Sequence, residues 1–251
     1  MILARQDLFA LATGKSPVIK IIGDWSQKEL IQPASVDVPI GHDEVVEVPA
    51  STLPLLGQLV EDLISRQRRY SIPMKDGGTF FHHNQCYLVP TDIGLDLPRG
   101  YSAHFSPKSS TGRIDALVRV MTDSNPQFDR VDGPFCGRLY LEIVPFSFSL
   151  LIKPGDCLTQ MRISRDGNGA LSSNDLREYH IRYGIVRDND GQPLFNENLA
   201  VDGEGRLFLH IDLERKVPGF ISSVPSTGII RPTEREIHDP RCFWIQQRID
   251  R

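Results

Sequence analysis

Three short segments of the sequence combine residue types that are used in acid–base chemistry and in anion binding. They cover residues 31–41 (IQPASVDVPIG), 107–113 (PKSSTGR) and 130–142 (RVDGPFCGRLYLE). Each contains ionisable or hydroxyl side chains next to turn-forming Gly or Pro. The segments therefore contain the candidate site residues, and the rest of the chain must supply the elements that position them.

The segment 107–113 has the composition of an anion-binding loop. Within six positions it holds one lysine, two serines, a glycine and an arginine, namely Lys108, Ser109, Ser110, Gly112 and Arg113. Lys and Arg neutralise phosphate charge, while hydroxyls and backbone N–H groups donate hydrogen bonds to phosphate oxygens. The segment is thus a candidate polyphosphate cradle. The alternative is a solvated turn before the next strand, since Ser and Gly are common in ordinary loops.

The segment 130–142 predicts a tight turn followed by a strand that carries a carboxylate. Alternation along this strand separates an apolar face from a polar one: Leu139, Leu141 and Ile143 against Arg138, Tyr140 and Glu142. If Glu142 is partly desolvated, its pKa is raised and it can act as a general base. The alternative is a Glu142 side chain on a solvated face, paired with an Arg.

A zinc site of the kind that many nucleobase deaminases use is not predicted. His42-Asp43-Glu44 matches their H-x-E motif, but the partner motif P-C-x-x-C is absent from the sequence. The four cysteines are scattered, and the adjacent His82 and His83 would point to opposite faces of a strand. The sequence also contains neither a Walker A motif nor a complete G-x-G-x-x-G motif.

The pattern of the chain indicates a mainly β fold with a few short helices. Helical spacing predicts helices over residues 3–11 and 52–68. Strands are predicted over residues 85–89, 100–105, 116–121, 138–144 and 147–152. Many short strands separated by turn residues are typical of a sandwich, a jelly roll or a small barrel. Further hairpin turns are predicted at residues 189–191 and 202–205, the second followed by a strand through Leu207, Leu209 and Ile211.

Composition excludes several classes of protein. The 251 residues carry 28 Lys and Arg against 32 Asp and Glu, a net charge of -4, which disfavours a broad nucleic-acid surface. No window approaches the roughly 18 consecutive apolar residues of a membrane span. Arg5 and Asp7 interrupt the apolar run that a signal peptide would need, and four scattered cysteines suggest a reducing compartment. We therefore expect a cytoplasmic protein.

Taken in order, the three segments resemble the signature set of the dCTP deaminases, a family of the dUTPase-like superfamily. The resemblance covers residues 1–165. It implies a distorted β jelly roll (β-clip), assembly as a homotrimer, and hydrolysis of dCTP to dUTP and ammonia. By position in the motifs, Glu142 would be the base that activates water for attack on cytosine C4. Ser109 and Arg113 would lie beside it.

The resemblance also implies residues that bind the substrate. Lys108 and Ser110 would contact the phosphates, and Asp132 would accept a hydrogen bond from the 3′-hydroxyl of the deoxyribose. Gln160 resembles a glutamine near the phosphates in this superfamily. Family members use magnesium on the triphosphate and need no zinc.

Several alternatives remain open. A plain dUTPase uses an Asp in the turn and has no Glu in this strand, so Glu142 favours deamination over dUTP hydrolysis. A bifunctional deaminase–diphosphatase, an inactive nucleotide-binding module and a jelly-roll domain without a ligand are the other candidates. Residues 166–251 resemble the start of a second dUTPase-like repeat, as in the longer tandem form of the family. The predicted domains are therefore 1–165 and 166–251.

Overall fold

The computed structural model describes residues 1–49, 53–167, 170–209, 217, 219–223, 228–234 and 236–247. The chain forms two compact units. One contains Met1–Asn168 together with Ile221–Ile245, and the other contains Gly169–Phe220 and Gln246–Arg251. The sequence-based division after residue 165 stays a prediction, and the segment Ile221–Ile245 is part of the first unit.

Strands outnumber helices in the described chain. The helices are α1 (Arg5–Thr13), α2 (Gln27–Leu30), α3 (Val60–Gln67), α4 (Ser109–Arg113) and α5 (Ser173–Tyr183). The strands are β1 (Ile19–Ile21), β2 (Val36–Pro39), β3 (Val45–Val48), β4 (Tyr70–Ile72), β5 (Thr79–Phe81), β6 (Cys86–Leu97), β7 (Tyr101–Pro107), β8 (Ala116–Met121), β9 (Arg130–Asp132), β10 (Phe135–Pro145), β11 (Ser149–Ile152), β12 (Cys157–Arg165), β13 (Gly219–Ser222), β14 (Ile229–Ile230) and β15 (Trp244–Gln247). The prediction of a mainly β fold with a few short helices is confirmed.

The strands of the first unit form three sheets. A 6-stranded sheet has the order β4-β3-β6-β10-β8, with β1 also paired to β6. A 4-stranded sheet has the order β2-β12-β7-β9, and a 3-stranded sheet has the order β14-β11-β5. Within these three sheets the pairings are antiparallel, apart from the parallel pair β11–β14. The strands β13 and β15 form a 2-stranded sheet.

Strand β10 is buried on both faces. Leu139, Leu141 and Ile143 point into the main hydrophobic core, as their alternation predicts. The opposite face, with Tyr140, packs into a second cluster with Val46, Val48, Val60, Ile64, Cys86, Leu88 and Met121. Both faces therefore gain hydrophobic stabilisation, about 1.5–3 kcal/mol for each large apolar side chain that is fully buried. The carboxylate of Glu142 lies on the second face, which helix α3 covers.

Helix α3 is shorter than the sequence pattern predicts. The helix begins at Val60 instead of residue 52, which lies outside the described residues, and Leu55 and Leu56 are 70% and 82% exposed. Asp123 accepts the N–H of Val60 through Oδ1 at 2.8 Å, which satisfies a free donor at the helix start. The prediction was wrong because it counted exposed leucines of the preceding turn as part of the apolar helix face.

The second unit contains a helix that the sequence pattern did not predict. Helix α5 begins after Ser172, whose Oγ accepts the N–H of Asp175 at 3.2 Å, and it ends at Gly184 with φ of +57°. Both are ordinary helix-boundary signals. The prediction of a strand through Leu207 was wrong in the described part: Leu207 makes one isolated bridge with Val201, Leu209 is 76% exposed, and Ile211 lies outside the described residues.

The two predicted hairpin turns of the second unit are confirmed. The N–H of Gly191 donates to the carbonyl of Asp188 at 3.1 Å, and the N–H of Gly205 donates to the carbonyl of Asp202 at 3.2 Å. Both glycines have positive φ, which a residue without a side chain adopts at low cost. None of the helices within the described ranges has the length and apolar character that a membrane crossing requires.

Candidate active site

The carboxylate of Glu142 lies in the middle of the 6-stranded sheet, opposite an arginine. In the antiparallel register of β10 and β8, Glu142 is directly opposite Arg119. Arg119 donates to Oε1 of Glu142 twice, from Nε at 2.9 Å and from Nη2 at 2.5 Å. The Glu142 side chain has no exposed surface, whereas that of Arg119 is 32% exposed. Two charge-assisted bonds to one oxygen therefore fix the orientation of the carboxylate.

The Arg119 guanidinium is held by an aromatic ring as well as by the carboxylate. Its Cζ lies 3.8 Å from the centroid of the Phe128 ring, close enough for a cation–π interaction. The next residue, Asp129, accepts the N–H of Val120 through Oδ1 at 2.8 Å. This bond ties the Phe128 loop to the strand that carries Arg119. Arg119 is therefore positioned from two sides.

The surroundings favour a proton-accepting carboxylate. Burial raises the pKa of Glu142, the hydrogen bonds and charge of Arg119 lower it, and the charge of Asp129 raises it; the net pKa is above the ordinary value. Burial also raises the pKa of the neighbouring Cys86 to about 12, so Cys86 stays a neutral thiol. Among the described residues, Oε2 of Glu142 has no hydrogen-bond partner. This oxygen is a free acceptor that can take a proton from water.

The raised pKa of Glu142 predicts how the glutamine variant responds to pH. The pKa of Glu142 in the folded chain lies above the ordinary value of 4.5, so the protonated form of this carboxyl stabilises the fold. This stabilisation is complete below about pH 4.5. That contribution is lost as the pH rises through the folded pKa. Glutamine does not titrate, so the stability of Glu142→Gln relative to wild type should increase as the pH rises from about 4.5 through the folded pKa of Glu142. Urea unfolding at stepped pH measures the difference, and a difference independent of pH would contradict the raised pKa.

The candidate phosphate cradle, residues 107–113, forms a short helix at the end of β7. Its N-cap is Lys108, whose N–H donates to the carbonyl of Leu158 at 3.0 Å. Thr111 donates its hydroxyl to the same carbonyl at 2.7 Å. Both bonds attach α4 to β12, so the sequence PKSSTGR is an ordered helical turn instead of an open loop. Lys108 Nζ lies 2.5 Å from Oδ2 of Asp37, a mostly buried residue of β2.

Lys108 and Ser110 face a pocket of about 540 Å³. The pocket is lined by Trp25, Asp37, Lys108, Ser110, Lys153, Pro154, Gly155, Asp156, Cys157, Pro232 and Thr233. Gln160 lies on the neighbouring part of β12, directly across from Asp37, and its Oε1 accepts the Ser35 hydroxyl at 3.3 Å. Two lysines and a serine hydroxyl at one pocket make it suitable for phosphate groups.

The predicted site residues fall into separate places within one chain. Asp132 is exposed at the end of β9 and accepts from Nε of Arg130 at 3.0 and 3.2 Å. No hydrogen bond of the described residues joins Glu142 to Ser109 or Arg113. Arg113 ends helix α4, three residues before β8 begins at Ala116, and Glu142 pairs with Arg119, a further three residues along β8. The placement of Ser109 and Arg113 beside the base stays a prediction.

Sequence reasoning missed two residues that contact the predicted ones. Arg119 is the single charged residue in β8, and it alternates with apolar neighbours on the face that Glu142 shares. Asp37 lies inside the segment 31–41, to which no role had been assigned. The signal for both was a charged residue in an otherwise apolar strand, but the choice of partner depends on strand register.

The histidines, cysteines and carboxylates do not form a metal cage in the part of the chain that the structure describes. No group of three or more such side chains is close enough there to hold a metal ion. His42, the residue of the H-x-E match, stacks on Trp25 at a centroid distance of 5.7 Å and lies 3.7 Å from Asp92. The stacking contact and the nearby carboxylate account for its position.

Comparison with known proteins identifies the family. Residues 2–168 match the model of the 2'-deoxycytidine 5'-triphosphate deaminase (DCD) N-terminal domain. The chain is 26% identical over 186 residues to a "dCTP deaminase, dUMP-forming" of Methanocaldococcus jannaschii, covering 66% of this chain and 82% of that protein. It is 32% identical over 91 residues to a dCTP deaminase of Haloarcula marismortui, covering 36% and 46% of the two chains.

A solved structure shows the same fold over nearly the whole chain. The crystal structure of 2'-deoxycytidine 5'-triphosphate deaminase from Agrobacterium tumefaciens superposes with a TM-score of 0.85 and 30% sequence identity, covering 99% of this chain and 68% of that chain. The family model matches about two thirds of the sequence and includes all three motif segments. This chain belongs to the dCTP deaminase family.

Proposed function

We propose that this chain hydrolyses the 4-amino group of dCTP, releasing ammonia and a deoxyuridine nucleotide. The observation that carries the proposal is the Glu142 carboxylate, which is buried, is held at Oε1 by Arg119, and has no hydrogen-bond partner at Oε2 among the described residues. Its raised pKa suits a group that must both accept and return a proton. The names of the relatives in the family support the same reaction.

In the proposed reaction, water adds to C4 of the cytosine ring while Oε2 of Glu142 takes one of its protons. Glu142 passes this proton to N3, then takes the proton of the C4 hydroxyl as the C4–N bond breaks, and gives it to the leaving amine, which leaves a carbonyl at C4. One water is consumed and one ammonia is released, so the carboxylate ends in its starting state. Arg119 occupies Oε1, which directs the proton to Oε2. The positive guanidinium also stabilises the negative charge between proton transfers.

We infer that a second copy of the chain completes this site. Within the described part of one chain, neither Ser109 nor Arg113 makes a hydrogen bond to Glu142, whose side-chain bonds come from Arg119 on the neighbouring strand. Glu142 also has no exposed surface, so substrate access requires neighbouring side chains to rearrange. A homotrimer, as in the family that the sequence resembles, would bring Ser109 and Arg113 of one subunit to Glu142 of another. Sedimentation velocity tests the trimer, and a monomer with full activity would exclude it.

Lys108 and Ser110 are proposed to bind the phosphates, with Gln160 nearby and Asp132 on the 3′-hydroxyl. Magnesium would enter as part of the substrate, because this ion is usually held by phosphate oxygens, waters and one or two carboxylates. Asp37, next to Lys108, is a pocket carboxylate that fits such an ion. The four cysteines are free, which supports a reducing compartment and hence the cytoplasm.

The variant Lys108→Met should bind dCTP about 10- to 100-fold more weakly, because a charge-assisted hydrogen bond is lost. The same variant should show a smaller dependence of affinity on salt, since one ionic contact to the phosphates is absent. Isothermal titration calorimetry at several salt concentrations measures both. Lys15→Met removes an equal charge from an exposed position outside the pocket and serves as the control. Equal losses in the two variants would argue against a phosphate contact by Lys108.

A product assay tests the function itself. Purified protein is incubated with dCTP and Mg²⁺, ammonia is measured, and nucleotides are separated by ion exchange. Formation of dUTP with ammonia supports the deaminase, whereas dUMP and pyrophosphate with ammonia would assign the bifunctional reaction. Hydrolysis of dUTP without any turnover of dCTP would favour a dUTPase, and dCTP binding without turnover would favour an inactive nucleotide-binding module.

A further inference from the structure

A short turn from outside the matched family domain forms one wall of the phosphate pocket. Pro232 and Thr233 line the pocket together with the motif residues Lys108 and Ser110. The match to the family model ends at residue 168, so this wall comes from a part of the chain that the family model does not cover. The turn and the pocket belong to the same compact unit.

This turn is fixed to the first unit by backbone pairing and by aromatic packing. Strand β14 pairs in parallel with β11, with Ile230 opposite Leu150 and 5% exposed. Further along, the Phe243 ring packs edge-on against Phe148 at a centroid distance of 5.4 Å. The turn lies between these two anchors, so its position at the pocket is determined by the fold.

A buried carboxylate holds the turn at the pocket by hydrogen bonds. Thr233 donates its hydroxyl to Oδ1 of Asp156 at 2.6 Å, and the N–H of Lys153 donates to Oδ2 of the same carboxylate at 3.0 Å. Asp156 is only 4% exposed, and both of its oxygens are satisfied. These bonds place the next residue, Glu234, beside the Lys153 side chain.

Both lysines of the pocket are engaged by carboxylates. Lys108 donates to Asp37, and Lys153 donates to Oε1 of Glu234 at 3.3 Å, while Oε2 of Glu234 accepts from Arg231 at 3.2 Å. A carboxylate on an ammonium group uses the same charge and the same hydrogen bonds as a phosphate oxygen. The two carboxylates differ in their freedom, because Asp37 is held in a buried strand whereas the Glu234 side chain is 33% exposed.

We propose that Glu234 competes with a phosphate group of the substrate for Lys153, so that nucleotide binding exchanges this carboxylate for phosphate. This inference rests on the proposed function and extends it to residues outside the family domain. An exposed ion pair such as Lys153–Glu234 is weak, so a triphosphate can break it. Glu234 thereby lowers the affinity of the pocket for anions, and Lys153 becomes a phosphate-binding residue when Glu234 moves away.

The test is a gain of affinity, which damage to the fold does not produce. In the full-length chain without Mg²⁺, Glu234→Gln should bind inorganic tripolyphosphate about three- to ten-fold more tightly than wild type, because one repelling charge near the anion is removed. Lys153→Met should bind it more weakly. Glu236→Gln, which removes the same charge two residues away and outside the pocket lining, should stay close to wild type. Isothermal titration calorimetry at low and high salt gives the three affinities.

The outcomes separate this inference from the proposed function. If wild type deaminates dCTP and Glu234→Gln binds tripolyphosphate as wild type does, the competition is refuted and the deaminase function stands. If Glu234→Gln binds more tightly but dCTP is not deaminated, the competition is supported and the function fails. Weaker binding of Glu234→Gln that appears only with Mg²⁺ would assign Glu234 to the metal and overturn the competition.

Discussion

Replacing Glu142 with glutamine is expected to lower the rate of dCTP deamination by about 10²–10⁴-fold, the usual contribution of a positioned general base. Glutamine keeps an acceptor oxygen for Arg119, which donates at 2.9 and 2.5 Å, so the two strands should stay paired. The amide has no basic oxygen, so water is no longer deprotonated. Ammonia release at saturating dCTP measures the loss, while the affinity for dCTP should change little.

A glutamate on the same sheet provides the control for this experiment. Glu47 lies on β3, two strands from β10 in the sheet order, and its side chain is partly buried. Glu47→Gln therefore makes the same chemical change in the same sheet, away from Arg119, and should leave the rate of ammonia release near that of wild type. Wild-type turnover by Glu142→Gln would show that another group activates the water.

Replacing Arg119 with leucine is expected to have the largest effect on stability, and it should also change the pH dependence of the reaction. The substitution leaves the buried Glu142 carboxylate without its donors, which should lower the free energy of unfolding by about 2–4 kcal/mol. This range lies below that of a fully buried pair because Arg119 is 32% exposed. Since Arg119 lowers the pKa of Glu142, its removal raises that pKa further. The acid limb of the kcat/KM profile should therefore move to higher pH.

Two further variants show whether the stability and the pH profile depend on the hydrogen bonds between Arg119 and Glu142 or only on the positive charge. Arg119→Lys keeps the charge but not the planar fork, so it should restore part of the stability and most of the pH profile. Lys20→Leu breaks the exposed Lys20–Asp96 pair, which should cost less than about 1 kcal/mol. Urea unfolding and the pH profile of ammonia release are the measurements. An Arg119→Leu profile that superimposes on wild type would show that Arg119 does not act on the base.

Much of the secondary structure follows from patterns within a few residues. The alternation of ALVRVM predicts strand β8 over residues 116–121, the bounds that the structure has. The alternation around Glu142 likewise predicts β10 and the faces of its side chains, because successive residues of a strand point to opposite sides. Helix boundaries were harder. The leucines before Val60 have helical spacing, but helix α3 begins where Asp123, a residue distant in the sequence, accepts a backbone N–H.

The family was also determined by the sequence, because its three motif segments occur in order and fall within the matched residues 2–168. Motifs define which residue types are present and how far apart they are along the chain. They do not define which side chains meet. The partner of Glu142 is Arg119, 23 positions away, and only the register of β8 against β10 places them opposite each other.

The tertiary structure decided the composition of the proposed phosphate pocket in the same way. Thr233 meets Asp156 across 77 positions, and Lys108 meets Asp37 across 71, distances at which local periodicity carries no information. Such contacts form because apolar strands pack into a common core, and the core then sets which polar groups become neighbours. The sequence thus determined the strands, the family and the identity of the carboxylate. The fold decided that Arg119 holds this carboxylate and that a turn distant in the sequence lines the proposed phosphate pocket.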